Sequence, residues 1–246
     1  MLNFFKTFLK FILFFLIFNL SCITAMKNKK NNIKTSPEFE KIHYQKLNNF
    51  IFFTSFLINN DNKEITPEAN ASGFVFKTKD NYNLLITAGH FCSPDAFFNE
   101  SLQENIERKI IAVNKEEMIE AKILMSDVKN DICILSTTEK FNQKFDDLLI
   151  ADKMPKIGEK IYSVSAPLGI YTQEIHIIFE GYFDGCSYST DSNCIFSIPA
   201  INGSSGSAIY NEKGELISII DSTAKNFNNI AIGPNIYAIK EFIKYF

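Results

Sequence analysis

The chain has 246 residues, 46% of them hydrophobic and 22% charged, with a formal net charge of -3. That balance suits a globular protein and gives no electrostatic footprint for nucleic acid or for a strongly charged partner. Arg108 is the one arginine among 25 basic residues, which leaves no basis for phosphate recognition by arginine clusters.

Lys6 and Lys10 open the chain, an apolar run follows from Phe11 to Phe18, and "SCITAMKNKK" then turns small and basic. A charged start, a short apolar centre and small residues before a polar segment predict an export signal over residues 1–25, cleaved after Ala25. An uncleaved anchor is the rival reading, although a spanning helix needs about 20 apolar residues and Asn19 interrupts this run. "LSC" at Leu20 to Cys22 faintly resembles a bacterial lipoprotein site, with Asn19 where that pattern has an aliphatic residue. Residues 26–48, rich in Lys and Asn, read as a polar linker.

Short apolar runs bounded by turn residues follow: "FIFFTSFLI", "SGFVFKT", "NLLITAG", "KIIAVN", "AKILMS" and "DICILS". After "ADKMPKIGEK" the style resumes with "IYSVSAP", "HIIFEGYF", "IFSIPA", "SAIYN", "ELISIID" and "NIYAI". Their β-branched and aromatic content predicts strands, and "NEKGE" at Asn211 to Glu215 predicts a hairpin turn. Two helices are expected, a short one after His90 and the tail "IKEFIKYF", whose apolar residues recur at helical spacing. The whole predicts an all-β chain of two barrels, residues 49–150 and 151–246, the second ending in a short helix.

Four cysteines follow Cys22. Cys186 and Cys194 stand at the ends of the polar loop "CSYSTDSNC", the arrangement of a hairpin disulfide. Zinc fits poorly, because no His lies nearby and no C-x-x-C spacing occurs.

"INGSSGSAIY", from Ile201 to Tyr210, strings small residues into a loop with little side chain to fill space. A tight turn using Gly203 and Gly206 at positive φ is one reading. A backbone that must come close to a reacting group is another. His90 closes the apolar run "LLITAGH", and Asp131 opens "DICIL". Each alone has an ordinary structural reading, as a strand-end histidine and a turn aspartate. Together His90, Asp131 and Ser205 supply a base, a carboxylate to fix its tautomer, and a hydroxyl that is a poor nucleophile without such a base. The gaps of 41 and 74 residues require different strands to bring them together.

These segments resemble those of the trypsin-like (chymotrypsin-fold) serine proteases, closest in style to bacterial members. "ITAGH" resembles the family's Thr-Ala-Ala-His segment, "NDICIL" its Asn-Asp-Ile-Ala-Leu-Leu strand, and "GSSGSA" its Gly-Asp-Ser-Gly-Gly-Pro loop. "SGFVFKT", "KIGEKIYSVSAPLG" and "KGELISI" extend the likeness over about residues 49 to 240. The resemblance implies two six-stranded antiparallel β-barrels with the active site in the cleft between them. It implies Ser205 as nucleophile, His90 as general base and Asp131 as its orienter. The backbone N–H groups of Gly203 and Ser205 would form the oxyanion hole, with Gly206 letting the chain leave without blocking substrate. The pocket floor would lie near Pro199, and one wall along Asp221, Ser222 and Thr223.

Ser207 and Ala208 replace the family's second Gly and its Pro, and Ser204 replaces the Asp or Asn before the nucleophile. Cys133 replaces an Ala, and a buried free thiol is the simpler reading, pairing with Cys92 the alternative. Asn70, Asn99 and Asn202 match the glycosylation pattern, but a glycan at Asn202 would obstruct the oxyanion turn, so that match reads as chance.

The expectation is an exported serine endopeptidase acting on protein or peptide substrates, without metal or cofactor, and touching membrane only through its N-terminal segment. The alternative is an inactive relative that binds a partner in the same cleft. With no acid at the expected pocket floor, a small or medium apolar residue before the cleaved bond is expected.

Overall fold

The computed structural model describes residues 47–93, 105–187 and 193–246. The export signal, Cys22, nearly all of the linker, the Asn99 pattern and the tip of the Cys186 to Cys194 loop lie outside the described residues. No helix among the described residues is long and apolar enough to cross a membrane.

Six strands close into an antiparallel barrel: β1 Phe50–Asn59, β2 Ile65–Thr78, β3 Asn83–Ala88, β4 Ile106–Asn114, β5 Glu117–Asp127 and β6 Ile132–Thr137. Their order around the barrel is β1-β2-β3-β6-β5-β4. A short helix, α1 Gly89–Cys92, follows β3.

The second half is a seven-stranded sheet rather than a closed barrel of six. It comprises β7 Lys160–Ser165, β8 Ile177–Cys186, β9 Asn193–Phe196, β10 Ala208–Asn211, β11 Leu216–Ile219, β12 Ser222–Ala224 and β13 Phe227–Pro234, in the order β11-β10-β7-β8-β9-β13-β12. The sheet curls until its β11 end approaches β13. Asp221, between end strands β11 and β12, donates its N–H to Ile232 O at 2.9 Å. Gly233 lets β13 lie so close to β11 that a Cβ there would stand 1.9 Å from Ile219 O. The all-β, trypsin-like architecture is therefore present, with its second barrel built as a curled open sheet.

The C-terminal segment departs from the expected pattern. "NIYAI" does not form a strand; it opens helix α2, Ile236–Ile243. Asn235 caps the helix by accepting from Ala238 N–H at 2.9 Å, and Ile236, Ile239, Phe242 and Ile243 bury one face. The helix thus begins before the tail "IKEFIKYF" and ends at Ile243. Two strands were missed in this region: β12, only three residues long, and β13, where the paired Asn residues and Gly233 break the apolar alternation. The Asn211 to Glu215 hairpin forms as expected, with Gly214 at φ +74° and Asn211 N–H donating to Glu215 O.

Strands β3 and β6 are buried on both faces, which is why "NLLITA" and "ICILST" read as continuous apolar runs. Leu85, Cys133 and Leu135 point into the first barrel beside Ile51, Phe53 and Val75. Leu84, Ile86, Ile132 and Ile134 point outward and join Ala208, Tyr210, Leu216, Ile219 and the buried face of α2 in one core. This shared core fixes the first barrel against the turn that carries Ser205.

Candidate active site

The β3–β6 register accounts for the first two members of the constellation. Ala88 pairs with Ile132, so the residues just after Ala88 meet the residue just before Ile132. Gly89 N–H donates to Asp131 O at 2.9 Å, and His90 N–H donates to Asp131 Oδ1 at 2.6 Å. His90 Nδ1 lies 2.7 Å from Asp131 Oδ2. Asp131 itself sits outside the strand it was expected to open, in a turn at φ +52°, a left-handed conformation that aspartate tolerates better than most residues. That turn aims the carboxylate back at α1.

The third member comes from the second half of the molecule. His90 Nε2 lies 2.9 Å from Ser205 Oγ. Ser205 occupies the turn ahead of β10, and that turn is sewn to the first barrel by Ser72, which donates its N–H to Ser205 O at 2.8 Å. Gly206, at φ +81°, is required for this approach. A Cβ there would stand 2.2 Å from Ser72 O, 2.3 Å from Thr87 Oγ1 and 2.7 Å from Ala88 N. Its smallness therefore serves contact with the first barrel.

The N–H groups of the turn alternate in their partners. Those of Ser204, Gly206 and Ser207 donate to Ile201 O, Ile220 O and Ser204 O. Those of Gly203 and Ser205 donate to nothing among the described residues. Gly203, at φ +88°, presses its backbone onto the turn Pro167–Gly169, where a Cβ would stand 2.5 Å from Ala166 O. One unpartnered N–H on the serine held by a histidine, and another two residues before it, are what a developing oxyanion requires.

A cavity opens on each side of Ser205. One, of about 340 Å³, is lined by Ala200, Ile201, Asn202, Asp221, Ser222 and Thr223 together with His90, Asp131 and Ile220. Pro199 does not line it; Ala200, one residue on, does, with its N–H bonded to Asn228 O. The other, of about 480 Å³, runs past Gly203, Leu168 and Gly169 to Glu68, Phe91 and Arg108. Arg108 Nε reaches Glu68 Oε2 at 2.5 Å, and its Nη2 donates to Phe91 O at 2.7 Å, bracing α1 from below.

Asp221 brings an acid into the first cavity. Burial pushes its carboxyl up to about 7; the Ser222 hydroxyl, 2.6 Å from Oδ1, pulls it down, the charge of Asp131 adds to the rise, and His90 partly offsets it.

Cys186 and Cys194 are bonded, as the loop pattern predicted. Cys133 is not a free thiol. It is bonded to Cys92 with a Cα–Cα distance of 6.4 Å, because α1 folds back over the end of β6. This disulfide lies in the first-barrel core and ties the helix bearing His90 to the strand that follows Asp131. No group of His, Cys, Asp or Glu suited to a metal ion occurs among the described residues.

A family model described as trypsin-like peptidase domain matches residues 71–219, a span holding His90, Asp131, Ser205 and both disulfides. No curated protein matches the chain.

Proposed function

The chain belongs to the trypsin-like peptidase family, and from that premise we propose that it is an exported serine endopeptidase with Ser205 as nucleophile. The observation that carries this reading is the continuous chain of contacts from Asp131 Oδ2 through the His90 ring to Ser205 Oγ, at 2.7 and 2.9 Å. Asp131 accepts from Nδ1–H and leaves Nε2 as the lone-pair nitrogen facing the hydroxyl. Ser205 Oγ attacks the scissile carbonyl while its proton passes to Nε2. The carbonyl oxygen becomes an oxyanion between the Gly203 and Ser205 N–H groups. Collapse breaks the C–N bond, and Nε2–H protonates the departing amine. Water then attacks the acyl-enzyme ester, giving a proton to His90, and a second collapse returns it to Ser205 Oγ. The two disulfides support an oxidising compartment and hence export.

The test is labelling with a fluorophosphonate probe, which needs an activated serine. Wild-type protein should be labelled at Ser205 and hydrolyse peptides, and Ser205→Ala should do neither while keeping its fold. An unlabelled, folded wild type would point instead to an inactive relative that binds a partner in this cleft.

A further inference from the structure

Ser72 lies in the first barrel, on β2, and is fully buried. Its hydroxyl donates to Gly203 O at 2.7 Å and accepts from Ala166 N–H at 2.9 Å. Its N–H donates to Ser205 O at 2.8 Å, and its carbonyl accepts from Thr87 Oγ1 at 2.7 Å. One residue thus joins β3, which leads into His90, to the carbonyls on either side of Ser204 and to the segment leading into the Pro167–Gly169 turn.

A peptide unit is planar, so anchoring its carbonyl also fixes the direction of its N–H. Asn202 O accepts from Leu168 N–H at 2.6 Å, which aims the Gly203 N–H. Ser204 O accepts from Ser207 N–H at 3.0 Å, which aims the Ser205 N–H. Between these two donor peptides lies the 203–204 peptide, and its carbonyl is the one that Ser72 Oγ holds. Gly203, with no side chain and a φ of +88°, does not by itself fix the peptide that follows it. Whether the two donors converge on one point therefore depends on the plane that Ser72 sets.

We propose that Ser72 is a positioning residue, its buried hydroxyl locking the 203–204 peptide so that the Gly203 and Ser205 N–H groups converge on the substrate oxyanion. The proposal rests on the serine-peptidase reading above. Losing the hydroxyl leaves a buried carbonyl and a buried N–H without their partner, and the loosened plane misaligns a site that acts on the transition state more than on the bound substrate.

The experiment compares wild type, Ser72→Ala and Ser72→Thr, the last retaining the hydroxyl. Ser72→Ala should lose about tenfold to a hundredfold in kcat with KM within about twofold, the size expected for a misaligned rather than deleted oxyanion donor. Affinity for a peptide aldehyde, whose tetrahedral adduct places an oxygen in the same hole, should fall by the same factor. Ser72→Thr should recover most of both. A folded Ser72→Ala with wild-type kcat, or one that loses affinity through KM alone, overturns the proposal. If Ser72→Ala fails to fold, Ser72→Cys is read instead: its weaker donor should lower kcat at constant KM, and unchanged kcat overturns the proposal. A wild type that fluorophosphonate cannot label would bring down the parent reading, and this one with it, whereas a labelled wild type beside an unimpaired Ser72→Ala removes this one alone.

Discussion

The carboxylate of Asp131 holds His90 twice, by backbone N–H at 2.6 Å and by ring Nδ1 at 2.7 Å. Both oxygens act as acceptors, which an ionised carboxylate can supply and an amide cannot. Asp131→Asn must turn its NH₂ toward one of two donors. If it faces the ring, Nδ1 must become the acceptor and the proton moves to Nε2, where it blocks removal of the Ser205 proton. The expected loss in kcat is on the order of 10⁴, as for the same replacement in a related triad, with the fold retained. Steady-state kinetics on a peptide substrate checks this; a loss below about tenfold would mean that another group orients His90.

Gly206 and Gly158 share nearly the same φ, +81° and +85°, in opposite surroundings. A Cβ at Gly158 meets nothing within 4 Å, whereas one at Gly206 runs into the backbone of Ser72 and Ala88. Gly158→Ala should cost about 1 kcal/mol, the left-handed penalty alone. Gly206→Ala should cost roughly 3 kcal/mol or more, since backbone must move to admit it, and should abolish activity by separating Ser205 from His90. Urea unfolding of the pair separates steric from conformational cost.

The two disulfides should differ in worth. The Cys92–Cys133 bridge spans 41 residues and the Cys186–Cys194 bridge spans 8. Loop-closure entropy assigns about 4 kcal/mol to the first and about 2.5 kcal/mol to the second. The Cys92→Ala/Cys133→Ala double variant should therefore show the larger drop in denaturant midpoint. It should also lose activity well before it unfolds, because this bridge ties α1 to β6. Equal losses of stability in the two double variants would argue against this ordering.

Asp221 couples the cavity to pH. Its carboxyl, pushed up to about 7 by burial, lies above the ordinary carboxylate value of 3.8 that it regains on unfolding. Between those limits the folded state holds the proton more tightly, so this group makes the protein less stable as pH rises through the interval. The charged groups acting on it are Asp131, which raises the shift, and His90, which lowers it. Asp221→Asn removes the ionisation, so the variant should gain stability over wild type at about pH 8 and little at about pH 4, by an amount on the order of 2 kcal/mol. Unfolding curves at the two pH values test the sign.

Much of this site was legible in the sequence because its base is a scarce residue type and its serine lies in a distinctive run. His90 is one of three histidines, and the small-residue run around Ser205 stands out among bulky apolar neighbours. The β3 and β6 runs were legible for a physical reason, since strands buried on both faces leave no polar alternation. Three features were not. The Cys92–Cys133 bond depends on α1 folding back over β6, which spacing does not encode. Asn235 reads equally well as a strand residue until its side chain is seen capping α2. Ser72 reads as an ordinary small residue before Gly73, because its partners lie 94 and 131 residues away.

Ser204 carries the last prediction, which concerns activation. Many animal proteases of this family become active when a newly cut N-terminal amine pairs with an aspartate immediately before the nucleophile. Here that residue is Ser204, buried and uncharged, and an ammonium brought beside it would lack an ionic partner, at a cost of several kcal/mol. The turn is held by neutral bonds instead. Ser204 N–H donates to Ile201 O at 2.8 Å, its Oγ accepts from Ile201 N–H at 3.3 Å, and Ser72 Oγ and Leu168 N–H hold the next carbonyls along. All of these partners lie within residues 72–207, so none depends on a free amine upstream. Protein beginning at residue 26 with an acetylated N-terminus should therefore be labelled by a fluorophosphonate as fast as the same protein with a free amine. Ser204→Ala should slow labelling only about twofold to tenfold, since it removes one long neutral bond and leaves its backbone partners in place. An acetylated protein that is folded but inert, and that gains activity only after a cut ahead of Phe50, would show that an inserted terminus shapes this turn after all.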